Sequence, residues 1–553
     1  MLAGVLAACG GERATVALPS NDPCRARADG LHCEGDVALQ CVAGETSTRA
    51  SCSSMGQSCV RDVGCRTCVP HAISCVGEQR YRCSADGLRR DLVETCGAGL
   101  FCSAAGCRDL CGDARTARSY LGCEYWPVFT VNRWLSPRFE PAVAIGNGNL
   151  VAAHVKIARG TAEVATVEVA PRSSDTVMLA YDRKLQDTTG SALVRGGAYH
   201  LMSDVPVTVH QFNPLLFELS GSCAVEKFDE TPEEGVCNSY TNDASLLFPQ
   251  ESLGPDVAAG ATDVRYFVLS RASFVPQPLF PTPDAAVAES GSAGFVAIVA
   301  GGTQPVTVRV KSSAHTAASL EGEVVEALAP DDELVRTLRP GDVLQLQSAV
   351  PTDCQGPTAT LRRFKVCDPD RTYDLTGTEV IADGPVEVLG GHDCSHVPFN
   401  RVACDHLEES LPPIAAWGTS VVLTQPRVAP DARTLIRVIS ATDGNVIRFD
   451  PPLHTVPPLN RGKYVEVEVD QPVHVSGTGK LLVAQYLIGQ GSTLRYGDPS
   501  LTIGVPIDQY RTAYNFVTPA TYVANYVDII AATGDAALLD GVPVTGFEPV
   551  GNS

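Results

Sequence analysis

The chain has 553 residues, of which 44% are hydrophobic, and its formal net charge is -21 at pH 7. This length exceeds what a single hydrophobic core serves, so several domains are expected. The acidic balance argues against a nucleic-acid partner, and no window approaches the ~18 consecutive apolar residues of a transmembrane helix.

The first predicted element is a membrane-targeting signal. Leu6-Ala7-Ala8-Cys9 resembles a bacterial lipobox, in which a peptidase cuts before the cysteine and that cysteine is then acylated. Residues 1–23 are therefore predicted to be a signal remnant and tether, with the lipid on Cys9. We expect an extracytoplasmic protein anchored to a bacterial membrane, with the outer membrane or the cell surface favoured. The alternative is a short apolar leader with an incidental cysteine.

Residues 24–123 are predicted to form a disulfide-rich region with two repeats, about 24–67 and 68–111. Six cysteines recur between the repeats at offsets of 42 to 44 residues. Repeats this small bury too little apolar surface to fold without covalent bridges. The disulfide candidates along the whole chain are Cys24, Cys33, Cys41, Cys52, Cys59, Cys65, Cys68, Cys75, Cys83, Cys96, Cys102, Cys107, Cys111, Cys123, Cys223, Cys237, Cys354, Cys367, Cys394 and Cys404. Six cysteines allow fifteen pairings, so the connectivity stays open. Zinc at Cys65 and Cys68 is the alternative for that CxxC spacing.

From Tyr125 onward, short β-rich runs alternate with turns, which predicts an all-β fold of tandem β-sandwich-like modules. An Asp-x-Pro element recurs at Asp204–Val209, Asp383–Val388 and Asp470–Val475. A second element follows each copy, and the same pair of elements three times in order predicts a β module that is repeated three times. The predicted limits are 124–275 for the first module, 276–290 for a proline-rich linker, 291–425 for the second module and 426–553 for the third.

Two patterns in the third module predict strands and their faces. Tyr464–Val469 alternates apolar and acidic residues, so Glu466 and Glu468 are expected to face solvent. Tyr514–Val517 and Tyr526–Ile530 are also predicted to be strands.

Candidate chemistry is concentrated around the second module. The residues His392, Asp393, Cys394, His396, Cys404, Asp405 and His406 could hold zinc, but the even cysteine count favours a Cys394–Cys404 bridge. Asp368, Asp370 and Asp374 could offer carboxylates to calcium, although an Asp-rich turn explains them as well. Nucleophile-elbow, zincin and P-loop motifs are absent from the sequence. We therefore expect no enzymatic activity, no cofactor and no metal.

Two stretches carry a family resemblance. Cys394–Pro413 with Trp417 and Gly418, and Asp498–Val544, resemble the N-terminal domain family of IgGFc-binding proteins. The resemblance runs from about Tyr125 to the end and implies secreted or surface-displayed β proteins, with no catalytic residues to transfer. It also implies that the third module continues past Ser553.

The sequence thus predicts a lipid-anchored, cell-surface binding or adhesion protein. Its partner is expected to be an extracellular protein or glycan whose identity the sequence does not give. A secreted carbohydrate-active hydrolase is the alternative from another class, because glycosidases need only two carboxylates that sequence cannot place. A structural envelope spacer is the third.

Overall fold

The computed structural model describes residues 22–97, 99–221, 236–239, 243–273, 277–278, 291–361, 364–402, 404–426, 433–489, 498–514, 516, 518 and 525–551. These residues form two compact units, one ending at Leu110 and the next beginning at Cys111. The boundary therefore precedes Cys111 and Cys123, which the sequence placed in the disulfide-rich region. In the described ranges, no helix has the length and apolar character needed to cross a membrane.

The first unit consists of short antiparallel strands. They are β1 (Gly30–Glu34), β2 (Val37–Val42), β3 (Glu45–Ser51), β4 (Ser58–Val60), β5 (Gly64–Arg66), β6 (Ile73–Val76), β7 (Gln79–Cys83), β8 (Arg90–Thr95), β9 (Phe101–Ser103) and β10 (Gly106–Arg108). Each repeat has a three-stranded sheet and a hairpin: β1-β2-β3 with β4-β5, then β6-β7-β8 with β9-β10. Gly35 and Gly77 occupy equivalent turns, both at φ 56°, where a side chain would be strained.

The disulfides of the two repeats follow one scheme, in which the first cysteine pairs with the third, the second with the fifth and the fourth with the sixth. The bridges are Cys24–Cys41, Cys33–Cys59, Cys52–Cys65, Cys68–Cys83, Cys75–Cys102 and Cys96–Cys107. Cys65 and Cys68 belong to different bridges, which removes the thiolates that zinc would need. The shared scheme supports the duplication that the cysteine spacing predicts.

The next helices and strands run from a helix whose first residue is the last of the first unit to residue 267 of the second unit. They are α1 (Leu110–Ala117), β11 (Gly122–Tyr125), β12 (Ala142–Asn147), β13 (Ala153–Arg159), β14 (Ala162–Val169), β15 (Ser173–Met178), α2 (Arg183–Gln186), β16 (Ala192–Val194), β17 (His200–Phe212), β18 (Glu218–Ser220), β19 (Val236–Asn238), β20 (Ala244–Leu246), α3 (Gln250–Leu253) and β21 (Val264–Phe267).

The remaining strands of the second unit complete its sheets. They are β22 (Gln277–Pro278), β23 (Gly294–Ala300), β24 (Val306–Lys311), β25 (Glu333–Leu338), β26 (Val343–Gln347), β27 (Thr358–Leu361), β28 (Phe364–Cys367), β29 (Glu379–Ala382), β30 (Val386–His396), β31 (Cys404–Ser410), β32 (Gly418–Leu423), β33 (Thr434–Ser440), β34 (Ile447–Asp450), β35 (Tyr464–Val469), β36 (Val473–Leu487), β37 (Ser500–Ile503), β38 (Leu538–Leu539) and β39 (Val542–Pro543). The all-β prediction is confirmed.

The sheets do not follow the predicted module limits. Strands β16 and β21 lie before residue 275, yet β16 pairs with β26 and β21 pairs with β29. Likewise β32 precedes residue 425 but pairs with β36 of the third module. Within the predicted linker, β22 pairs with β28, and residues 279–290 lie outside the described ranges. Sequence periodicity defines strands but not their partners, and here a strand from one module joins the sheet of the next.

The Asp-x-Pro elements mark the strands on which the sheets are built. The first lies within β17, the second leads into β30, and the third leads into β36. These three strands have 13, 11 and 15 residues. A tyrosine hydroxyl donates a hydrogen bond to each of the first two Asp-x-Pro elements. Tyr125 donates to the Val207 carbonyl at 2.5 Å, and Tyr266 donates to the Val386 carbonyl at 3.0 Å.

The sheet with strand order β32-β36-β33-β35, which we call the third sheet, is covered on both faces. On β33, Leu435 and Ile439 belong to a core shared with the second module, while Ile436 and Val438 belong to a separate core. Successive side chains of a strand point to opposite faces, so this split follows from the period of two. Arg437 therefore lies on the face that meets the second module.

Among the described residues after β37, the strands predicted from the sequence are not formed, and β38 pairs only with β39. Asn515 and Val517 of the predicted strand Tyr514–Val517 lie outside the described residues. Residues 506–518 repeat the pattern of 413–425, so Tyr514 and Phe516 correspond to Val421 and Leu423. Val421 and Leu423 are 0% and 4% exposed in β32, whereas Tyr514 and Phe516 are 54% and 43% exposed and lie in no strand. The strand predicted at Tyr526–Ile530 is likewise absent. β-rich composition alone does not form a strand where no neighbouring strand supplies backbone partners.

This contrast gives a first testable prediction. Leu423→Ala should lower the free energy of unfolding by about 2–4 kcal/mol, because it removes a buried side chain and leaves a cavity. The corresponding Phe516→Ala should change it by less than about 0.5 kcal/mol. Urea unfolding followed by fluorescence measures both, and equal losses would contradict the assignment.

Candidate functional site

A cavity of ≈ 170 Å³ lies where strands of the second and third modules meet. Its buried floor includes Arg437 of β33 and Tyr464 of β35. Its more exposed mouth includes Asp368 and Arg371 from the loop after β28, and His396 at the end of β30. Residues distant in sequence thus converge because β33, β35 and β30 belong to adjoining sheets.

Arg437 organises the floor of the cavity. It is 4% exposed, and its Nε and Nη2 atoms donate to Glu466 Oε2 at 2.9 and 2.6 Å. Its Nη1 atom donates to Asp374 Oδ2 at 2.8 Å and to the Ser270 carbonyl at 2.6 Å. The Tyr464 hydroxyl adds a 2.9 Å hydrogen bond to the same Asp374 oxygen. The buried charges of the floor are therefore mutually paired.

This pairing decides the ionisation of the floor. Burial acts to raise the pKa of Asp374, but the Arg437 charge and hydrogen bonds from Thr376 and Tyr464 hold it below its ordinary value. Burial likewise opposes ionisation of Glu466, and Arg271 with Arg437 keeps its pKa low. Both carboxyls are thus held as anions, which suits ion pairing better than proton donation.

Arginines and tyrosines alternate through the site. The Arg371 and Arg437 guanidinium carbons each lie 4.3 Å from the Tyr464 ring centre. Arg437 is also 6.0 Å from the Tyr486 ring centre, and Arg271 lies 5.0 Å from that ring. Contacts of this kind contribute about 0.5–2 kcal/mol each and fix the planes of the cations. The stack holds Arg271 and Arg371 in the lining of the cavity and leaves some of their N–H groups without a hydrogen-bond acceptor among the described residues.

Two disulfides frame the mouth. Cys354–Cys367 closes the loop immediately before Asp368, with Cα atoms 6.2 Å apart. Cys394–Cys404 joins β30 to β31 directly before Ser395 and His396. Cross-links at both sides restrict how far the mouth can open, so its side chains are presented by a rigid frame.

The predicted histidine and cysteine cluster divides into separate structural roles. Cys394 and Cys404 form the bridge rather than a thiolate pair for zinc. His392 Nδ1 accepts from the Cys394 backbone at 3.1 Å, and Asp393 pairs with Arg133 at 2.6 Å. His406 stacks on Phe295 with ring centres 5.8 Å apart. Among the described residues, His, Cys, Asp and Glu side chains form no group of three suited to a metal ion.

The acidic turn that could bind calcium is also divided. Asp370 accepts from the Thr372 backbone at 2.8 Å and caps the 3-10 helix Arg371–Tyr373. Asp374 is used by Arg437, as described above. Asp368 and Asp374 both line the cavity and Asp370 does not, and the part of the chain that the structure describes holds no group of three such side chains suited to a metal ion.

The remaining predicted cysteines are accounted for where the structure describes them. Cys111 pairs with Cys123, and Cys237 is disulfide-bonded. Its predicted partner Cys223 and the predicted lipidation residue Cys9 lie outside the described residues.

The sequence missed the importance of Glu466. It was expected to face solvent, but its side chain is only 26% exposed and accepts from Arg437 and, at 3.1 Å, from Arg271. Alternation in β35 separates Val465 and Val467 from the acidic face, but it does not say what covers that face. The signal that could have been used is Arg437 itself, a charge inside the apolar run of β33.

A second polar network lies in the core between the first and second modules. Glu408 is 0% exposed and accepts from Gln211 at 2.5 Å, and Thr130 also donates to it. Glu387, one strand away on β30, is 0% exposed and accepts from Ser410. Burial raises the pKa of Glu387 to about 8, so this carboxyl is neutral at pH 7.

Glu387 gives a pH-dependent prediction. The folded protein retains a proton on Glu387 that the unfolded chain loses near pH 4.5, so wild-type stability falls as pH rises from about 4.5 to 8. Glu387→Gln does not ionise, and its stability relative to wild type should rise by about 2–4 kcal/mol over that window. Denaturant unfolding at several pH values measures this, with exposed Glu333→Gln as control. Parallel stability curves for wild type and Glu387→Gln would contradict the assignment.

Fold and site together define a disulfide-rich, all-β extracytoplasmic protein with a rigid, charged cavity, since such bridges persist in oxidising compartments. Comparison with known proteins adds a family to this structural class. The family model described as IgGFc binding protein matches residues 243–553, more than half of the chain. The chain belongs to this family of binding proteins.

A curated relative shows the same relationship. The chain is 29% identical over 158 residues to the human IgGFc-binding protein, a stretch that covers 28% of this chain and 3% of that protein. The chain thus matches only a small part of the relative's length. No solved structure matches the chain. The family match begins at residue 243, later than the expected start near Tyr125, although residues before it share sheets with the matched region.

Proposed function

We propose that this chain is an extracytoplasmic binding or adhesion protein, held at a bacterial membrane by acylation of Cys9. Its ligand is an extracellular protein or a glycan, which it attaches to without chemical turnover. Family membership over residues 243–553 is the observation that carries this proposal. The disulfide frame of the cavity supports it, because a rigid surface loses little freedom on binding.

The electrostatics of the cavity favour binding over hydrolysis. A glycosidase needs one neutral carboxyl as proton donor and one carboxylate across the scissile bond. Asp374 and Glu466 are instead both held ionised and already accept hydrogen bonds from Arg437. Burial raises the pKa of the third lining carboxyl, Asp368, so the hydrolase alternative rests on that residue. This arrangement suits a preorganised recognition surface.

Binding is tested by presenting the purified chain, with its disulfides intact, to arrayed glycans and extracellular matrix proteins. We expect saturable retention of at least one ligand class, lost after reduction of the disulfides. Retention of none of the ligands would remove support for adhesion and leave the spacer as the better account.

Anchoring is tested separately at Cys9. In a protein exported behind a lipoprotein signal peptide that ends in Leu6–Cys9, Cys9→Ser should move the protein from the membrane fraction to the soluble extracytoplasmic fraction. The physical reason is that two or more acyl chains hold a protein firmly, whereas none remains in the variant. Fractionation followed by immunoblotting measures this, and equal membrane partitioning of both proteins would refute the anchor.

A further inference from the structure

Three charged side chains at the cavity have unused hydrogen-bonding capacity. Arg371 is exposed, and among the described residues its side chain donates only from Nη1, to the Tyr464 carbonyl at 2.9 Å. Arg271 is 8% exposed, and Glu466 is its one hydrogen-bond acceptor among the described residues. Within the same ranges, no side chain or backbone group donates to the Asp368 carboxylate. Unused donors and an unused acceptor therefore line one cavity.

The charge balance at this cavity selects the ligand chemistry. Arg437 is paired with Asp374 and Glu466, and Arg271 shares Glu466 with it, which leaves Arg371 and Asp368 as opposite charges without an ion-pair partner among the described residues. A simple anion is attracted by Arg371 but repelled by Asp368, and a metal cation meets the reverse situation. Neutral hydroxyl groups both donate and accept, so a polyol can satisfy the two residues together.

Size and surface narrow the ligand further. The cavity of ≈ 170 Å³ is far larger than the ~10–15 Å³ that one water needs, but it is too small for an extended chain. Phe399 and Ala272 are partly buried and add apolar surface to the lining. A pyranose has hydroxyls at its edge and C–H groups on its face, which matches this mixture.

We propose that the mouth of this cavity binds one neutral pyranose unit of a glycan, with sugar hydroxyls donating to Asp368 and accepting from Arg371. Arg271 supplies a further donor from the wall. The assignment rests on the proposed binding function and specifies its ligand class. The disulfides Cys354–Cys367 and Cys394–Cys404 preorganise the site by fixing both sides of the mouth.

The test uses the full chain with four sugars as probes: glucose, galactose, mannose and, as a charged comparison, glucuronic acid. Saturation-transfer NMR detects contact, and calorimetric titration gives the dissociation constant. We expect a neutral hexose to bind with a dissociation constant of about 1 mM, the range of weak single-site contacts. Asp368→Asn and Arg371→Ala should each weaken binding about tenfold, because each removes a hydrogen bond to a charged group.

The matched control is Arg309→Ala, which removes an exposed arginine paired with Glu333 at 2.6 Å on another strand of the same unit. It should leave sugar affinity unchanged. Near-UV circular dichroism checks that each variant is folded, and Arg371→Lys provides a milder second change at the mouth. If Arg309→Ala lowers the sugar affinity as much as Asp368→Asn and Arg371→Ala do, the assignment of the binding site to this cavity is wrong.

Two other results would also overturn it. Tighter binding of glucuronic acid than of glucose would make the cavity an anion site. Absence of saturable binding by every sugar, with the protein folded, would exclude the pyranose. If arrayed ligands are still retained by the chain in that case, the proposed binding function stands and only its placement in this cavity fails.

Discussion

Arg437→Met is expected to lower the free energy of unfolding of the second unit by about 3–5 kcal/mol, the cost of leaving buried charges unpaired. Asp374 is 2% exposed, and both it and Glu466 lose their principal hydrogen-bond donor. Arg309→Met is the matched control, because its pair with Glu333 is exposed and contributes less than about 1 kcal/mol. Urea unfolding measures both variants.

The same variant has a defined pH dependence. The depressed pKa values of Asp374 and Glu466 contribute stability above the ordinary carboxyl range, which is lost as pH falls through the folded values. Arg437→Met removes that contribution, so its deficit relative to wild type should be largest at neutral pH and shrink in acid. A deficit within about 1 kcal/mol of the Arg309→Met control at pH 7 would show that the network is not structural.

Reduction of the disulfides should unfold the first unit while the second unit retains most of its structure. A buried cluster in the first unit consists of only Cys24, Leu39 and Cys41 with Val37 beside it, so most of its buried members are bridge cysteines. Extended apolar cores run through the described residues of the second unit. Hydrogen exchange with mass spectrometry, before and after reduction, should show protection lost in residues 22–97 and kept in β30, β33 and β36.

A double substitution measures how much one bridge contributes to the stability of the first unit. Cys33→Ser with Cys59→Ser opens a bridge of sequence separation 26, which is worth about 3.5 kcal/mol to a unit with little other stabilisation. The comparison is Cys354→Ser with Cys367→Ser, which should loosen the cavity mouth without unfolding the second unit. Persistent protection of residues 22–97 after full reduction would refute the view that bridges hold this unit.

Much of the fold could be predicted because local patterns determine it. Alternating β-rich runs predict the strands, and the cysteine period predicts the duplicated first unit. Pairing within six cysteines could not be predicted, because fifteen schemes satisfy the same spacing. The common scheme becomes visible only when strands place Cys33 beside Cys59 and Cys75 beside Cys102.

The site was less accessible to sequence reasoning because it depends on contacts between modules. Asp374 and Arg437 are separated by 63 residues, and no local period links them. Alternation in β35 identified the acidic face, yet a face that meets a neighbouring module looks the same in sequence as one that meets water. Strands that cross from one module into the next sheet, such as β21 and β32, were hidden for the same reason.

The second unit is proposed to recognise its ligand without transforming it. The most direct measurement follows an arrayed oligosaccharide ligand with wild type and Asp368→Asn, recording retention and, by mass spectrometry, the mass of the recovered glycan. We predict that wild type retains the glycan at unchanged mass and that Asp368→Asn retains about tenfold less. Shortened glycan with wild type, abolished by Asp368→Asn, would contradict the claim and identify a hydrolase.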